Sequence, residues 1–200
     1  MKILAMSDTH GMYRLLENLP EADLLIHAGD SSIFGDEDEI IDFVEWFIDL
    51  PYRHKVFITG NHDFALHRDK VSDLPTNCYF LNFSIVELEG INVCGIPFFL
   101  ERKNYVEGID QFEAIGKSKI DLLVSHQPPY GILDYSDYYG HYGSPYLLRK
   151  VRELKPKCHI FGHMHEGYGK LGDGGILFVN CSLMGDSLER LSNPPILLEI

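Results

Sequence analysis

Short apolar segments recur along the chain, and each of them ends in small polar residues. A run of about four to six apolar residues between turn signals is typical of a buried strand in a sheet that is covered on both faces. The pattern predicts strands of this kind in the segments KILAMSDTH (2–10), DLLIHAGDSS (23–32), KVFITGNHD (55–63), IDLLVSHQPP (120–129), KCHIFGHMH (157–165) and GILFVNCS (175–182).

Two other segments have the periodicity of amphipathic helices. In 36–50, DEDEIIDFVEWFIDL, apolar side chains recur on one face, and acidic residues fill the first turn, where they complement the helix dipole. Segment 144–154 has Ser144 as a candidate N-cap and Pro145 at the first helical position. The apolar face of the first helix consists of Ile40, Val44, Phe47 and Ile48.

Segment 78–99, CYFLNFSIVELEGINVCGIPFF, has a different pattern. It predicts consecutive strands about a turn at Glu89 and Gly90, which is an antiparallel element. Strands that alternate with helices predict α/β architecture. Together with the antiparallel element, they predict a core of two mixed sheets flanked by helices. Because no repeat, low-complexity segment or linker interrupts the chain, residues 1–200 are expected to form a single domain.

The composition is that of an ordinary globular protein, with 200 residues, of which 45% are hydrophobic and 24% charged. The formal net charge of −13 repels a long polyanion, so extended nucleic acid is not an expected partner. The four cysteines lack Cys-x-x-Cys spacing and are expected to be buried free thiols. The opening apolar run is too short for a signal peptide, and no stretch has the roughly 18 apolar residues of a membrane span. A cytoplasmic protein without membrane association is therefore expected.

Side chains that can bind metals follow most of the predicted strands. Catalytic groups of α/β proteins gather where strands end and loops begin. A single Asp-x-His or Gly-Asp motif is weak, because such residues also form ordinary turns. Their repetition at successive strand ends indicates one shared site, in which neighbouring glycines allow close backbone approach. The candidate ligands are Asp8, His10, Asp30, Asn61, His126, His163 and His165.

These candidate ligands are carboxylates, imidazoles and one amide. Such donors suit Mn²⁺, Fe²⁺, Zn²⁺, Ni²⁺ or Co²⁺. Seven ligands exceed the needs of one catalytic ion. Two ions about 3.5–4 Å apart that share one carboxylate would use all of them and leave room for a bridging hydroxide. The sequence therefore predicts a centre of two divalent ions, with Mn²⁺ as the first choice.

The order of the motifs resembles that of the calcineurin-like metallophosphoesterase superfamily. The motifs are Asp8-x-His10, Gly29-Asp30, Gly60-Asn61-His62-Asp63, His126 and Gly162-His163-Met164-His165. Segments 125–134, 159–169 and 178–182 also resemble the metallophosphoesterase-domain-containing branch, which is known for class III cyclic-nucleotide phosphodiesterase activity. The second motif departs from the common form Gly-Asp-x-x-Asp, since residues 31–34 are Ser-Ser-Ile-Phe. This departure affects the expected substrate contacts rather than the metal ligands.

The resemblance implies a four-layer α/β/β/α sandwich with a dinuclear site between the sheet ends. It also implies roles for individual residues. His62 would contact phosphate and help the leaving group depart, and Asn61 would lie beside the substrate. His62 and Asp63 are the candidate catalytic residues, and Asp63 would either orient His62 or only cap the following turn. One ion would be held by Asp8, His10 and His165, the other by Asn61, His126 and His163, and Asp30 would bridge them.

The expected function is hydrolysis of small phosphodiesters, cyclic nucleotides among them, by attack of the metal-bridging hydroxide. Two alternatives use the same fold: a non-catalytic interaction scaffold, and a phosphomonoesterase or nuclease with the same site. The complete set of candidate ligands, together with His62, favours an enzyme over the scaffold.

The remaining polar and aromatic residues leave alternatives open. His27 is expected to be structural or to lie behind Asp30, and His159 to point away from the metals. Asn180 and Ser182 either support the ligands or form a strand-end turn. The segment 130–146 contains six tyrosines. It either stacks a nucleobase or packs its own rings in an Ω-loop.

Overall fold

A computed structural model describes most of the chain. The described residues are 1–63, 65, 71, 73–98, 101–102, 105–106, 108–116, 118–185 and 189–200, of which 101–102 and 105–106 are described as backbone only. In chain order the strands are β1 (Lys2–Met6), β2 (Leu24–His27), β3 (His54–Phe57), β4 (Cys78–Phe80), β5 (Ser84–Leu88), β6 (Ile91–Ile96), β7 (Glu101–Arg102), β8 (Tyr105–Val106), β9 (Leu122–Ser125), β10 (Tyr135–Ser136), β11 (Gly140–His141), β12 (Cys158–Phe161), β13 (Gly169–Asp173), β14 (Ile176–Asn180) and β15 (Ile196–Glu199).

Eleven of these strands form two mixed sheets. The first sheet has the order β15-β1-β2-β3-β4, with β15 antiparallel to β1 and the other pairs parallel. The second has the order β13-β14-β12-β9-β6-β5, with parallel strands in its centre and antiparallel strands β13 and β5 at its edges. Each predicted buried strand is confirmed, as β1, β2, β3, β9, β12 and β14.

Segment 78–99 divides between the two sheets. β5 and β6 pair about Glu89 and Gly90, which both have positive φ, as a tight hairpin turn requires. β4, however, pairs in parallel with β3 in the first sheet. The prediction of one antiparallel element is therefore confirmed for 84–96 and wrong for Cys78–Phe80, while Phe99 lies outside the described residues.

In the described part of the chain, three α-helices cover the outer faces of the sheets: α1 (Glu37–Asp49), α2 (Ile109–Ile115) and α3 (Pro145–Leu154). The predicted helix in 36–50 is confirmed as α1, and α3 begins at Ser144 and Pro145 as predicted. The Asp36 side chain accepts a hydrogen bond from the amide of Glu39, and the Ser144 hydroxyl accepts one from the amide of Leu147. These bonds satisfy amides that would otherwise lack partners at a helix start.

Three apolar clusters connect the layers. Ile26 and Val56 of the first sheet pack with Val124 and Ile160 of the second in the cluster between the sheets. A second cluster contains Phe43 and Phe47 of α1 together with residues of the first sheet, and a third places α2 and α3 on the second sheet. The order of layers is thus helix, sheet, sheet, helix, which is the four-layer sandwich expected.

No helix in the described part of the chain combines the length and the apolar character needed to cross a membrane. The four cysteines are free and buried, as expected. The assignment of residues 1–200 to one domain stays a prediction.

Candidate metal centre

The carboxyl ends of five parallel strands bring the candidate ligands together. β1, β2 and β3 run in one direction in the first sheet, and β9 and β12 do so in the second. The bridge between Ser7 and Ser182 and the hydrogen bond from the amide of Ser7 to the carbonyl of Cys181 join the two sheets at this edge. Residues that follow these strands therefore meet although up to 157 positions separate them in the chain, as for Asp8 and His165.

The first ligand cluster consists of Asp8, His10 and His165. One ligand atom from each lies within 4.8 Å of the others, and Nε2 of His165 is 3.4 Å from Oδ1 of Asp8. Asp8 is completely buried, and His10 retains only 6% of its exposure. This cluster combines the three residues expected to hold one ion.

The second cluster consists of Asp30, His126 and His163. Nε2 of His126 lies 3.2 Å from Oδ2 of Asp30 and 3.1 Å from Oδ1 of Asn61. Asn61 therefore joins this cluster through His126. The structure thus places together the residues expected to hold the other ion.

Asp30 links the two clusters. A third group of potential ligand atoms contains Asp30, His10 and His62, and Nε2 of His10 is 3.9 Å from Oδ2 of Asp30. That His10 nitrogen is buried without a hydrogen-bond partner, which normally costs free energy unless another group satisfies it. Buried carboxylates beside an unpartnered imidazole nitrogen fit divalent cations, so the residues present suit a pair of metal ions.

Four of the candidate ligands have a strained backbone. Asp8, His10, Asp30 and His163 have φ values of 52°, 40°, 55° and 67°. Residues other than glycine rarely adopt the left-handed region, and such strain tends to collect at functional sites. The fold therefore sets the direction of four candidate ligands at a conformational cost.

Gly162 and Gly60 allow the loops of the site to approach one another. A Cβ on Gly162 would collide with the side chains of Ser7 and Asp8, and one on Gly60 would collide with the backbone and carboxylate of Asp30. The amide of His163 also donates to the Asp8 carboxylate at 3.1 Å. These contacts explain why glycines accompany the ligands in the sequence.

The carboxylate of Asp63 is buried and accepts hydrogen bonds from both loops that flank Asp30. Oδ2 accepts hydrogen bonds from the amides of Asp30, at 2.9 Å, and Gly60, at 2.8 Å. Oδ1 accepts from the amides and hydroxyls of Ser31 and Ser32. Its carboxylate thus holds the loop that carries Asp30, and its partners include Ser31 and Ser32, which fill the two variable positions of Gly-Asp-x-x-Asp. These hydrogen bonds give Asp63 a positioning role, and a catalytic role for it stays a prediction.

The loop that follows β2 orients the His62 ring through Ile33. Its Nδ1 lies 2.7 Å from the carbonyl oxygen of Ile33, so Nδ1 carries the proton and donates. Its backbone amide donates to Oδ1 of Asp30 at 2.8 Å, and its ring lies edge-on to that of His10, with centroids 4.9 Å apart. Nε2 of His62 is thereby available at the rim of the ligand clusters.

Burial and neighbouring charges shift the pKa values of several residues in the site. Burial would raise the pKa of Asp8, but His165 and His126 hold it well below its usual range. Burial disfavours charge on His126, yet Asp30 and Asp8 outweigh this effect and raise the pKa of His126 to about 9. Burial, together with His126, lowers the pKa of His163 to about 4. Without metal, a proton on His126 therefore partly balances the carboxylates, and bound cations would compete with it.

Two further residues lie behind the ligands. The Asn180 side chain donates to the carbonyls of Met164, at 2.8 Å, and Leu133, at 3.1 Å, so it supports the turn between His163 and His165. The Ser7 hydroxyl donates to Oδ2 of Asp8 at 2.5 Å. Ser7 was not singled out from the sequence, although its position next to Asp8 was the available signal.

His27 and His159 lie outside the ligand clusters. The completely buried His27 packs against Phe43, with ring centroids 4.8 Å apart, and its Nε2 lies 3.0 Å from the Thr9 hydroxyl. Burial lowers the pKa of His27 to about 4. His159 is also completely buried, with Nε2 2.8 Å from the Ser125 hydroxyl. Both therefore fit the structural role expected of them.

Comparisons with known proteins agree with this geometry. The model of the calcineurin-like phosphoesterase family matches residues 1–167. Metallophosphoesterase domain-containing protein 1 of Homo sapiens, and that of Mus musculus, are each 31% identical over 233 aligned positions, which cover 100% of this chain and 71% of the relative. The crystal structure of TT1561 of Thermus thermophilus shows the same fold, with a TM-score of 0.64 at 14% sequence identity. The alignment covers 90% of this chain and 88% of the TT1561 chain. Family match, relatives and ligand clusters together place this chain in the calcineurin-like phosphoesterase family.

Proposed function

We propose that this protein is a dinuclear metal-dependent phosphodiesterase that hydrolyses small phosphodiesters. The observation that carries the proposal is the pair of ligand clusters that Asp30 links through His10, with His62 at their rim. Membership of the family supports phosphoester hydrolysis by divalent metals. The choice of a diester, and of Mn²⁺ as the native ion, is the part that experiment has to test.

The chain would hold the ions through the residues already described. When bound, divalent ions supply a nucleophile at neutral pH and positive charge for the phosphoryl oxygens. Asp8, His10 and His165 would bind one ion, and His126, His163 and Asn61 the other. Asp30 would contribute to both, and Asp63 would keep its loop in place through the amides of Asp30 and Gly60.

His62 is the residue of this chain best placed for proton transfer. The Ile33 carbonyl accepts the proton of Nδ1, so Nε2 is the nitrogen that can face a bound phosphate. A protonated Nε2 would donate to the departing ester oxygen and prevent the release of an unstabilised alkoxide. A diester needs this assistance because both of its ester oxygens are poor leaving groups.

The charge of the site supports a diester. In the described part of the chain, every ion pair to the cluster carboxylates comes from a histidine rather than from a lysine or arginine. A diester carries one negative charge and a monoester close to two, so the diester requires less positive charge from the protein. The net charge of −13 supports a small substrate over a long nucleic acid.

The test compares two chromogenic substrates with chelator-stripped protein, before and after Mn²⁺ is added. We expect Mn²⁺ to restore cleavage of bis(p-nitrophenyl) phosphate more strongly than cleavage of p-nitrophenyl phosphate. A preference for the monoester would support metal-dependent phosphoester hydrolysis and reject a diester as the preferred substrate. Folded protein that binds two metals but cleaves neither ester with any divalent ion would reject the enzyme and favour the scaffold.

A further inference from the structure

A carboxylate of the first helix holds the loop beside His62. Oε2 of Glu39 accepts hydrogen bonds from three successive amides, those of Ile33 at 3.2 Å, Phe34 at 2.8 Å and Gly35 at 2.9 Å. The side chains of Ile33 and Phe34 are 42% and 76% exposed, so their packing contributes little to the position of the loop. The hydrogen bonds to Glu39 therefore supply support that packing does not.

The place of Glu39 in α1 is also that of an ordinary capping residue. Asp36 is the N-cap, and a glutamate three residues later commonly reaches back to the amide of the N-cap. The Glu39 carboxylate reaches further, to three amides that precede Asp36. It thus serves the loop before the helix, and a role limited to capping does not account for these contacts.

A single peptide group connects Glu39 with His62. The N–H of Phe34 and the carbonyl of Ile33 belong to one planar trans peptide unit, in which they point in opposite directions. Glu39 accepts from this N–H, and the carbonyl oxygen lies 2.7 Å from Nδ1 of His62. Because the unit is rigid, the bond at one end fixes the direction of the other. Hydrogen bonds in such a chain also polarise one another and become stronger.

The same loop makes a second contact with the segment that carries His62. The amide of Ala65 donates to the carbonyl oxygen of Gly35 at 3.0 Å. The amides of residues 33–35 thus bind Glu39, while the carbonyls of Ile33 and Gly35 hold the segment around His62. Ile33 occupies the last position of the pattern Gly-Asp-x-x-Asp, and it serves His62 through its backbone rather than through a carboxylate.

We propose that Glu39 is a positioning residue that sets the tautomer and the direction of His62 through the peptide group between Ile33 and Phe34. Its effect on catalysis rests on the proposed function. In that reaction the ester P–O bond breaks, the departing oxygen takes the bonding electron pair, and Nε2 of His62 supplies the proton. Without Glu39 the peptide group is free to turn, and a misplacement of about 1 Å costs roughly 100-fold in rate.

The first measurement is the tautomer of His62 in metal-free protein, which does not depend on activity. ¹⁵N NMR of histidine-labelled protein distinguishes a proton on Nδ1 from one on Nε2 at about pH 8.5, above the ordinary pKa range of histidine. The signals that are missing from the spectrum of His62→Gln identify those of His62. We expect the Nδ1–H form in the wild type and a mixture of both forms in Glu39→Ala.

Two further variants separate the loop contact from the charge at the helix start. Glu39→Asp keeps a negative charge in the first turn of α1 but withdraws it by one methylene group, so it should change the tautomer as Glu39→Ala does. Glu37→Ala removes an exposed carboxylate from the same turn and should keep the wild-type signals. Wild-type His62 signals in both Glu39 variants would overturn the proposal, and so would an equal change in Glu37→Ala.

The second measurement is turnover by Mn²⁺-loaded protein of two diesters that differ in their leaving group. Diphenyl phosphate releases a more basic phenolate than bis(p-nitrophenyl) phosphate does, so its cleavage depends more on a general acid. We expect Glu39→Ala to reduce kcat for diphenyl phosphate roughly 10- to 100-fold, and kcat for the nitrophenyl diester by less. In the His62→Gln background Glu39→Ala should have no further effect, because residues that act as a unit are not additive.

The failure of this proposal is distinct from that of the phosphodiesterase. An equal decrease with both diesters, or a further decrease in the His62→Gln background, would show that Glu39 acts elsewhere than on His62 and would overturn the proposal. If the wild-type protein cleaves neither diester and Glu39→Ala still changes the tautomer, the phosphodiesterase is rejected and the positioning of His62 by Glu39 stands.

Discussion

Nε2 of His126 lies 3.2 Å from Oδ2 of Asp30, and these two residues follow strands of different sheets. Asp30 follows β2 and His126 follows β9, so their contact joins the ends of the two sheets. Nδ1 of His126 is in turn 2.8 Å from the carbonyl oxygen of Ala28. The imidazole is thus fixed on one side by the first sheet and directed at the shared carboxylate on the other. The contact between His126 and Asp30 therefore both joins the two sheets and brings two candidate ligands together.

Replacing Asp30 should weaken both candidate metal sites together. Asn fits the positive φ of this position better than Ala and keeps the shape of the side chain while it removes the charge. For Asp30→Asn we expect loss of both metals and a decrease in kcat/KM of more than about 100-fold, since even outer partners of metal ligands contribute about 10–100-fold. Metal analysis and diester hydrolysis are the two measurements.

Asp42→Asn, at an exposed carboxylate that pairs with Arg14, is the control. Normal occupancy of both sites in Asp30→Asn would rule out the shared ligand.

Replacing His62 should reduce catalysis and leave the metals in place. The Ile33 carbonyl orients the His62 ring, and the hydrogen bond from the His62 amide to Asp30 does not depend on the side chain, so His62→Gln should retain metal content. Its kcat should decrease by roughly 10²–10⁴-fold, the usual contribution of a general acid. His54→Gln is the control, because His54 begins β3, at the other end of the strand that leads to the site. A His62→Gln protein with wild-type kcat would exclude the acid role.

Replacing Asp63 should destabilise the protein even without metal. The Asp63 carboxylate accepts from four backbone amides and two hydroxyls, and an Asn side chain offers only one oxygen. Buried donors left without an acceptor cost about 1–3 kcal/mol each, so Asp63→Asn should lower the free energy of unfolding by roughly 2–5 kcal/mol. Urea unfolding of metal-free protein measures this change. If metal-free stability were unchanged and only kcat fell, the positioning role would be wrong and the predicted catalytic role would be supported.

The sequence was sufficient to predict the strands that carry the site. Apolar runs followed by Asp30 or His126 identify buried strands with polar ends, and parallel strands necessarily bring such ends to one edge. The helix start at Ser144 was equally predictable, because capping is local chemistry. Features encoded within a few residues were therefore predictable.

Contacts between distant segments were not predictable in the same way. Asp63 accepts hydrogen bonds from residues about 30 positions earlier, and no local pattern distinguishes this from the cap of a turn. The pairing of Cys78–Phe80 with β3 rather than with its neighbour in sequence also depends on the packing of the whole sheet. For 130–146 the composition showed many tyrosines, and only the structure showed that Tyr142 is exposed beside His163.

A histidine away from the metal centre should make stability depend on pH. Burial of His159 between Phe161 and Phe178 lowers its pKa from 6.5 to about 3. Below about pH 6.5 the unfolded chain binds a proton at this position that the folded chain does not, so stability falls as the pH falls towards 3. Above that pH neither state is protonated, and the position contributes no pH dependence.

His159→Gln removes this titration and leaves a neutral side chain that can still hydrogen-bond to Ser125. Between about pH 6.5 and pH 5, metal-free wild-type protein should lose about 1.5 kcal/mol more stability than His159→Gln, a difference that isolates one proton from all other titrating groups. Urea unfolding at several pH values measures both slopes. Equal slopes would show that the His159 ring is protonated in the fold, and a steeper slope in the variant would reverse the sign of the argument. A difference of the expected size would establish that the core holds this imidazole neutral, as its packing against Phe161 and Phe178 requires, although His159 lies only four positions before His163.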